Sequence, residues 1–370
     1  MNDKIIQPAK AVLPSFDRYT SKIKSIWDTY ILTNNGSLLH EFENKLKEHE
    51  DVDNCSLFVN GHTALNIAIK ALDLTGEVIT TPFTFASTIH TITSNGLTPV
   101  FCDIDIETFN IDASKIENLI TDKTSAIIGV HLFGVPCDVN AINKIAQKHG
   151  VKIIYDAAQS FGVRVDGKSI GSYGDMTMFS FHATKVLNSI EGGALMYNDA
   201  KYTYKLDLLR NFGISYGDGD IEIELVGMNG KMNEFQAAMG ILNLENVNEE
   251  IKKRKSIARM YKDGLAKKSC VRTLNYLPNI EYNYSYFPIL IEEDKFCESR
   301  DRLHLRLKEN GILTRKLYSK LCPDYECYRG MNYHADIPVA RYAANNILDL
   351  PIYGALTAVD IEYILSVINS

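Results

Sequence analysis

The sequence has no uninterrupted apolar stretch of the roughly 18 residues that a membrane-crossing helix needs. Its opening segment, MNDKIIQPAK, lacks the apolar core of an export signal. A cytoplasmic protein without a membrane partner is therefore expected. Nor is there a basic run to offset the formal charge of -7; Lys252-Lys253-Arg254-Lys255 is short enough to be a solvated helix face. That argues against nucleic acid as a main partner, although a local pocket can still hold a phosphorylated ligand. The seven cysteines, Cys55, Cys102, Cys137, Cys270, Cys297, Cys322 and Cys327, are scattered and odd in number, which predicts no disulfide framework. Only Cys322 and Cys327 lie close together, and no Cys or His pair flanks them at zinc-binding spacing, so no structural metal is expected. Internal repeats and low-complexity linkers are also missing.

What remains is ordinary globular composition, with 45% hydrophobic and 23% charged residues in 370. That length suits one large domain and a smaller one, divided here as residues 1–245 and 246–370. The first 50 residues carry two helical patterns, one through Tyr19, Ile23, Ile26 and Trp27 and one through Leu38, Phe42 and Leu46. They are parted by Asn34-Asn35-Gly36, residues that tolerate positive φ. Short apolar strands then alternate with helices: 55–59, 77–81, 98–103, 126–131 and 151–155 read as strands, and segments at 64–72, from 86, 113–120 and 139–149 as helices. This alternation predicts an α/β fold with a mostly parallel sheet covered on both faces. After residue 197 the reading is a helix near 201–209, a glycine- and acid-rich loop over 211–230, and one long helix running through Ile241, Leu244 and Val247. A smaller α+β region follows, with a strand over 285–291 and helices near 295–309 and 359–367.

In parallel α/β sheets ligands sit at the carboxyl ends of strands, so residues that directly follow strands carry the chemistry. Three places stand out. In Asp175–Gly193, a strand through Ser180 leads to a lone Lys185 and to Glu191-Gly192-Gly193. The lysine amine is suited to a Schiff base with an aldehyde cofactor, and the Ser180 hydroxyl to that cofactor's phosphate. Asp156 ends the most apolar strand, where a carboxylate needs a cation or hydrogen-bond donors; a protonated pyridine nitrogen would serve. Asn60-Gly61-His62-Thr63 joins a strand to a helix start and offers free N–H groups to an anion. Taken singly, each has a plain alternative: an exposed lysine beside an ordinary serine, an N-cap aspartate, and a simple N-cap.

Together and in this order these pieces resemble the DegT/DnrJ/EryC1/StrS family of pyridoxal-phosphate sugar aminotransferases. The resemblance is carried by Leu32–Gly36, Asn60–Leu65, Thr81–Phe85, Phe109–Asp112, Val130–Gly134, Asp156–Gln159, Ser180–Lys185, Glu191–Gly193, Gly227–Asn229 and Gln236–Ala238, which together span nearly the whole chain. It implies a fold-type I enzyme with a large pyridoxal 5'-phosphate-binding domain, a small C-terminal domain, and a homodimer that shares its active sites. By the same analogy Lys185 bonds the cofactor and shuttles the proton, Asp156 pairs with the pyridine nitrogen, Gln159 sits by the ring hydroxyl and Phe85 stacks on the ring. Ser180 with Gly61, His62 and Thr63 would hold the phosphate, joined by Asn229 from the partner subunit. Two departures are visible. His62 intervenes where relatives often read Gly-Thr, and Arg315-Lys316-Leu317-Tyr318 matches the family's His-Tyr element only loosely.

The implied reaction takes an amino group from L-glutamate to a nucleotide-linked keto sugar. Ser-Phe-His-Ala-Thr-Lys-Val with Ile-Glu-Gly-Gly resembles enzymes acting on dTDP-4-keto-6-deoxyglucose in O-antigen and antibiotic sugar pathways, with amination at C4 preferred and amination at C3 of a 3-keto isomer the alternative. A non-catalytic pyridoxal-phosphate-binding regulator is an alternative of another class, opposed by the intact Lys185, Asp156 and Gln159.

Overall fold

A computed structural model describes residues 5–217, 220–292, 298–331 and 336–370. Two helices open the chain, α1 (Phe16–Thr29) and α2 (Ser37–Glu50). Between them Asn34 and Asn35 do take positive φ, 66° and 60°, as the Asn-Asn-Gly turn requires. The free N–H groups that begin α2 are met from far along the chain: Leu38 and Leu39 donate to the buried Glu234 carboxylate at 2.8 and 3.0 Å. A Cβ on Gly36 would stand 2.4 Å from that carboxyl carbon, so only glycine allows the approach.

The strands β1 (Asn54–Phe58), β2 (Glu77–Thr80), β3 (Thr98–Phe101), β4 (Thr124–Val130) and β5 (Lys152–Asp156) come next, interleaved with helices α3 (Gly61–Ala71), α4 (Ala86–Ser94), α5 (Ala113–Ile116) and α6 (Val139–His149). After a short ribbon, β6 (Arg164–Val165) with β7 (Lys168–Ser169), the chain adds β8 (Met176–Ser180) and β9 (Gly193–Tyr197). Seven of these strands form one sheet in the order β1-β9-β8-β5-β4-β2-β3. The pairs β2·β3, β2·β4, β4·β5 and β5·β8 are parallel, and only β9 runs against its neighbours. Side chains alternate across it as the pleat demands. Ile127, Ile153, Phe179 and Met196 face a core shared with α2, α6 and later helices, while Ile128, Ile154, Met178 and Leu195 face α3. Each fully buried side chain of this size contributes about 1.5–3 kcal/mol, so the two-sided covering stabilises the sheet.

Beyond the sheet lie α7 (Tyr202–Arg210), β10 (Ile214–Tyr216), β11 (Ile221–Ile223), α8 (Glu234–Leu244) and α9 (Val247–Leu265). Two readings of the sequence are corrected here. The segment 211–230 is not all loop: β-branched Ile214, Ile221 and Ile223 support an exposed antiparallel hairpin, with Ile214 opposite Ile223. The long helix is two helices. Asn246 leaves the helical region at φ -112°, ψ 1°, and its side-chain amide donates to the Leu242 carbonyl at 3.1 Å, competing with the backbone ladder.

A second, antiparallel sheet of three strands follows, β12 (Val271–Thr273), β14 (Phe287–Ile291) and β15 (Ile347–Leu350), with the short β13 (Ile280–Glu281) pairing back to β6. It packs with α9, α10 (Arg300–Glu309) and α12 (Ala358–Asn369) around Ile257, Tyr261, Phe287, Leu303 and Ile361. The remaining helix, α11 (Pro338–Asn346), carries Ala340 and Ala343 into a core with Phe83, Phe133 and Tyr286. The helix read near 295–309 begins at Arg300, capped by Ser299; residues 293–297 lie outside the described residues. Cys270 is disulfide-bonded, a link that the scattered cysteines did not announce.

Candidate active site

The strand directions bring several chain segments to one edge. β2, β4, β5 and β8 all end there, β1 ends there as well, and β9 begins there. At this edge lies a cavity of about 620 Å³. Its wall includes Gly61, His62, Phe85, Asp156, Gln159, Ser180 and Lys185, so seven of the residues singled out in the sequence converge on one space.

Two glycines set a close approach at this edge. A Cβ on Gly61 would lie 3.0 Å from the Ser180 Cβ, and one on Gly193 would lie 2.6 Å from the Asn60 carbonyl carbon and the Gly61 nitrogen. The start of α3 is thereby pressed against the end of β8 and the start of β9. Asn60 caps this helix, its side-chain oxygen accepting from the Thr63 N–H at 2.8 Å. The N–H groups ahead of Thr63 and the Ser180 hydroxyl make a cradle suited to an anion. His62 adds an imidazole whose Nδ1 lies 2.9 Å from the Ser87 hydroxyl; burial, with His90 nearby, lowers its pKa.

Asp156 is the buried charge of the site. Thr88 Oγ1 donates to its Oδ2 at 2.8 Å and the Ala158 N–H to its Oδ1 at 3.1 Å. Both donors are neutral, and burial raises the carboxyl pKa above its ordinary value, partly offset by these hydrogen bonds and by the Lys185 charge. Gln159 is fixed at both ends of its amide. Its Oε1 accepts from the Phe133 N–H at 2.7 Å and its Nε2 donates to the Tyr318 hydroxyl at 3.0 Å. Lys185 Nζ lies 5.9 Å from the centre of the Tyr286 ring. Phe85, largely exposed, immediately precedes α4 at the cavity's rim. A flat, cationic, phosphate-bearing ring fits this donor set: an anion cradle, a carboxylate with only neutral donors and an amine, all on the wall of one cavity.

Two expected residues stand apart. Thr63 does not line the cavity; its methyl group packs toward Gly230, within 2.9 Å of where a Cβ would be. Asn229 is exposed and bridges Asn211 through the backbone, off the cavity wall of its own chain. The sequence reading in turn missed four wall residues from the last third of the chain. Tyr286 precedes β14, and Arg315, Leu317 and Tyr318 follow α10. Their segment had been noticed only as a loose match to a family element, and nothing local marks Tyr286. His182 and Glu191, within the lysine stretch, also face the cavity, with 3.7 Å between imidazole Nε2 and carboxylate. Among the described residues no cluster of metal-ligating side chains occurs, and no helix is long and apolar enough to cross a membrane.

The profile described as the DegT/DnrJ/EryC1/StrS aminotransferase family matches residues 17–369. The chain is 42% identical over 357 residues to a dTDP-4-amino-4,6-dideoxy-D-glucose transaminase of Shigella dysenteriae, a match covering 96% of both chains. It is 31% identical over 350 residues to a dTDP-3-amino-3,6-dideoxy-alpha-D-galactopyranose transaminase of Aneurinibacillus thermoaerophilus, covering 94% of this chain and 92% of that one. Among solved structures it is similar to DesI, determined in the presence of its TDP-sugar product, with a TM-score of 0.93 and 34% identity over 99% of this chain and 92% of that one.

Proposed function

Since the chain belongs to the DegT/DnrJ/EryC1/StrS aminotransferase family, we propose that it moves the amino group of L-glutamate to C4 of dTDP-4-keto-6-deoxy-D-glucose, giving dTDP-4-amino-4,6-dideoxy-D-glucose. The observation that carries this reading is the 42% identity, over 96% of both chains, to a transaminase named for that sugar. Amination at C3 of a 3-keto isomer is the second reading, favoured by the relative named for a 3-amino sugar, at 31% identity.

The cofactor in this proposal is pyridoxal 5'-phosphate, which when bound supplies an electron-withdrawing cationic ring next to the carbon that gains or loses a proton. Asp156 would keep the ring nitrogen protonated, because a buried carboxylate with neutral donors gains most from a cationic partner. Ser180 and the N–H groups of Gly61 and His62 would hold the phosphate, Gln159 would stand by the ring hydroxyl, and Phe85 would cover one face. Lys185 Nζ is the amine available to the aldehyde, and it moves the proton at the reacting carbon, first as base and then as acid.

We place the protein in the cytoplasm as a homodimer. Tyr30, Tyr216 and Val226 are each largely exposed, as side chains covered by a second copy would be, and Asn229, three residues after Val226, would then reach the partner's phosphate site. Sedimentation of the purified protein tests this; a monomer that turns over at full rate would reject it.

The proposal as a whole is tested by incubating the protein with pyridoxal phosphate, L-glutamate and dTDP-4-keto-6-deoxyglucose and recording the product's NMR spectrum. An amine at C4 supports it, whereas an amine at C3 from the 3-keto isomer alone transfers the assignment to the second reading. Substituting Lys185→Ala should lower turnover by at least the roughly 10²–10⁴-fold of a positioned proton-transfer group, and a variant of normal activity would exclude the role given to Lys185.

A further inference from the structure

Among the described residues only two cavity-lining side chains are lysine or arginine, Lys185 and Arg315. Lys185 is committed to the chemistry proposed above. Arg315 is a quarter exposed and is held in a fixed pose: its Nε and Nη2 donate to Oδ2 of the buried Asp349 at 3.0 and 2.8 Å. Its Nη1 donors have no partner among the described residues, although a guanidinium carries five N–H donors in a rigid fork. The same guanidinium lies 4.9 Å from the centre of the Tyr286 ring, the ring that Lys185 Nζ approaches at 5.9 Å. A fixed cation with spare donors thus shares one aromatic wall with the reacting amine.

We propose that Arg315 recognises a carboxylate of the amino donor, through Nη1 and in the pose set by Asp349. This deepens the reading of the protein as a glutamate-dependent sugar aminotransferase and rests on it. Two anionic groups enter such a site, the donor's carboxylates and the sugar nucleotide's diphosphate. They differ in distance from the transferred nitrogen. In an α-amino acid the carboxylate carbon is two bonds from that nitrogen, so its receptor must line the same cavity as Lys185, and Arg315 does so while sharing the Tyr286 ring with it. In a hexose aminated at C4 the diphosphate hangs from C1, across the sugar ring, which sets it a ring's width farther from that nitrogen. Tyr286 itself is an apolar surface against which the donor's methylenes can lie while the guanidinium takes the charge.

The test uses the pyridoxal-phosphate-loaded enzyme and separates the two half-reactions, following the cofactor's visible absorbance in single-turnover mixing with glutamate and then with the keto sugar. Replacing Arg315 alone would leave the Asp349 carboxylate buried and unpaired, so R315Q is compared with R315Q/D349N, in which the buried charge is removed as well. The expected result for the double variant is a rise of about 10- to 100-fold in the glutamate concentration giving half-maximal rate, the worth of one charge-assisted hydrogen bond. Calorimetric affinity for glutarate, a dicarboxylate that has no amine to react, should fall by a similar factor. Unchanged glutamate dependence and glutarate affinity in a folded double variant would overturn the inference, and so would a loss confined to the keto-sugar half-reaction. If the unaltered enzyme fails to react with glutamate at all, the broader reading fails instead.

Discussion

Two aspartates, Asp156 and Asp349, stand at comparable depth in the two sheets and lead opposite lives. Both are buried, and burial raises both carboxyl pKa values. Asp349, in β15, is met by two arms of Arg315 and by the Phe287 N–H at 3.0 Å. Asp156, ending β5, receives one threonine hydroxyl and one backbone N–H, with Lys185 acting on it only through space. A paired carboxylate of the first kind is part of the scaffold. One of the second kind holds desolvation cost that a cationic ligand would relieve, and so marks where a ligand belongs.

The contrast can be broken most directly at Asp349. D349N removes the charge that balances Arg315 and should cost on the order of 3 kcal/mol of stability, measured by urea unfolding. D156N in cofactor-free protein should cost little or be stabilising, because it removes a buried charge that lacks an ionic partner, while turnover collapses. A large stability loss for D156N would dissolve the distinction between the two residues.

The pH dependence sharpens it further. A carboxyl whose folded pKa is raised holds its proton more tightly in the folded state, so the stability it contributes is present below its ordinary value of 3.8 and is lost as pH rises through the raised value. Cofactor-free protein should therefore lose stability as pH climbs upward from about 4, and D156N should flatten that decline. Loading with pyridoxal phosphate should flatten it too, because a cationic ring favours the ionised carboxylate. The smallest effect is expected at Tyr318, which acts by positioning Gln159. Y318F removes one hydrogen bond, worth about 1 kcal/mol or roughly fivefold in rate. The loss should appear in kcat with the glutamate KM little changed, and an equal fall in stability without a change in kcat would make the contact merely structural.

Much of Asp156's side of this comparison was legible in the sequence, and little of Asp349's. Parallel strands announce themselves by short apolar runs, and their ends fall on the ligand edge, so Asp156, Ser180 and Gly61 could be picked out by position alone. Lys185 followed because it lies five residues beyond the end of such a strand. Tyr286, Arg315 and Tyr318 lack any comparable local signature. Arg315 reads as one more cation near a helix end, and its value comes from Asp349, 34 positions on. The strand pair 214–216 and 221–223 was hidden because glycine and acidic residues around it masked Ile214, Ile221 and Ile223, and the break at Asn246 because helical periodicity continues across it. Local patterns report what a residue does with its neighbours in sequence, and these features depend on neighbours in space.

The hydrogen bond between Gln159 and Tyr318 spans 159 positions of the chain. On a ribosome adding about 5–20 residues per second, Gln159 and Asp156 are made roughly 8–30 s before the tyrosine that completes their wall. The sheet edge, with its lysine and its unbalanced carboxylate, has to wait that long for its cover. Durable capture of the proposed cofactor would accordingly be among the last events in the maturation of each chain, and an interrupted translation product would carry Lys185 without the wall that confines it.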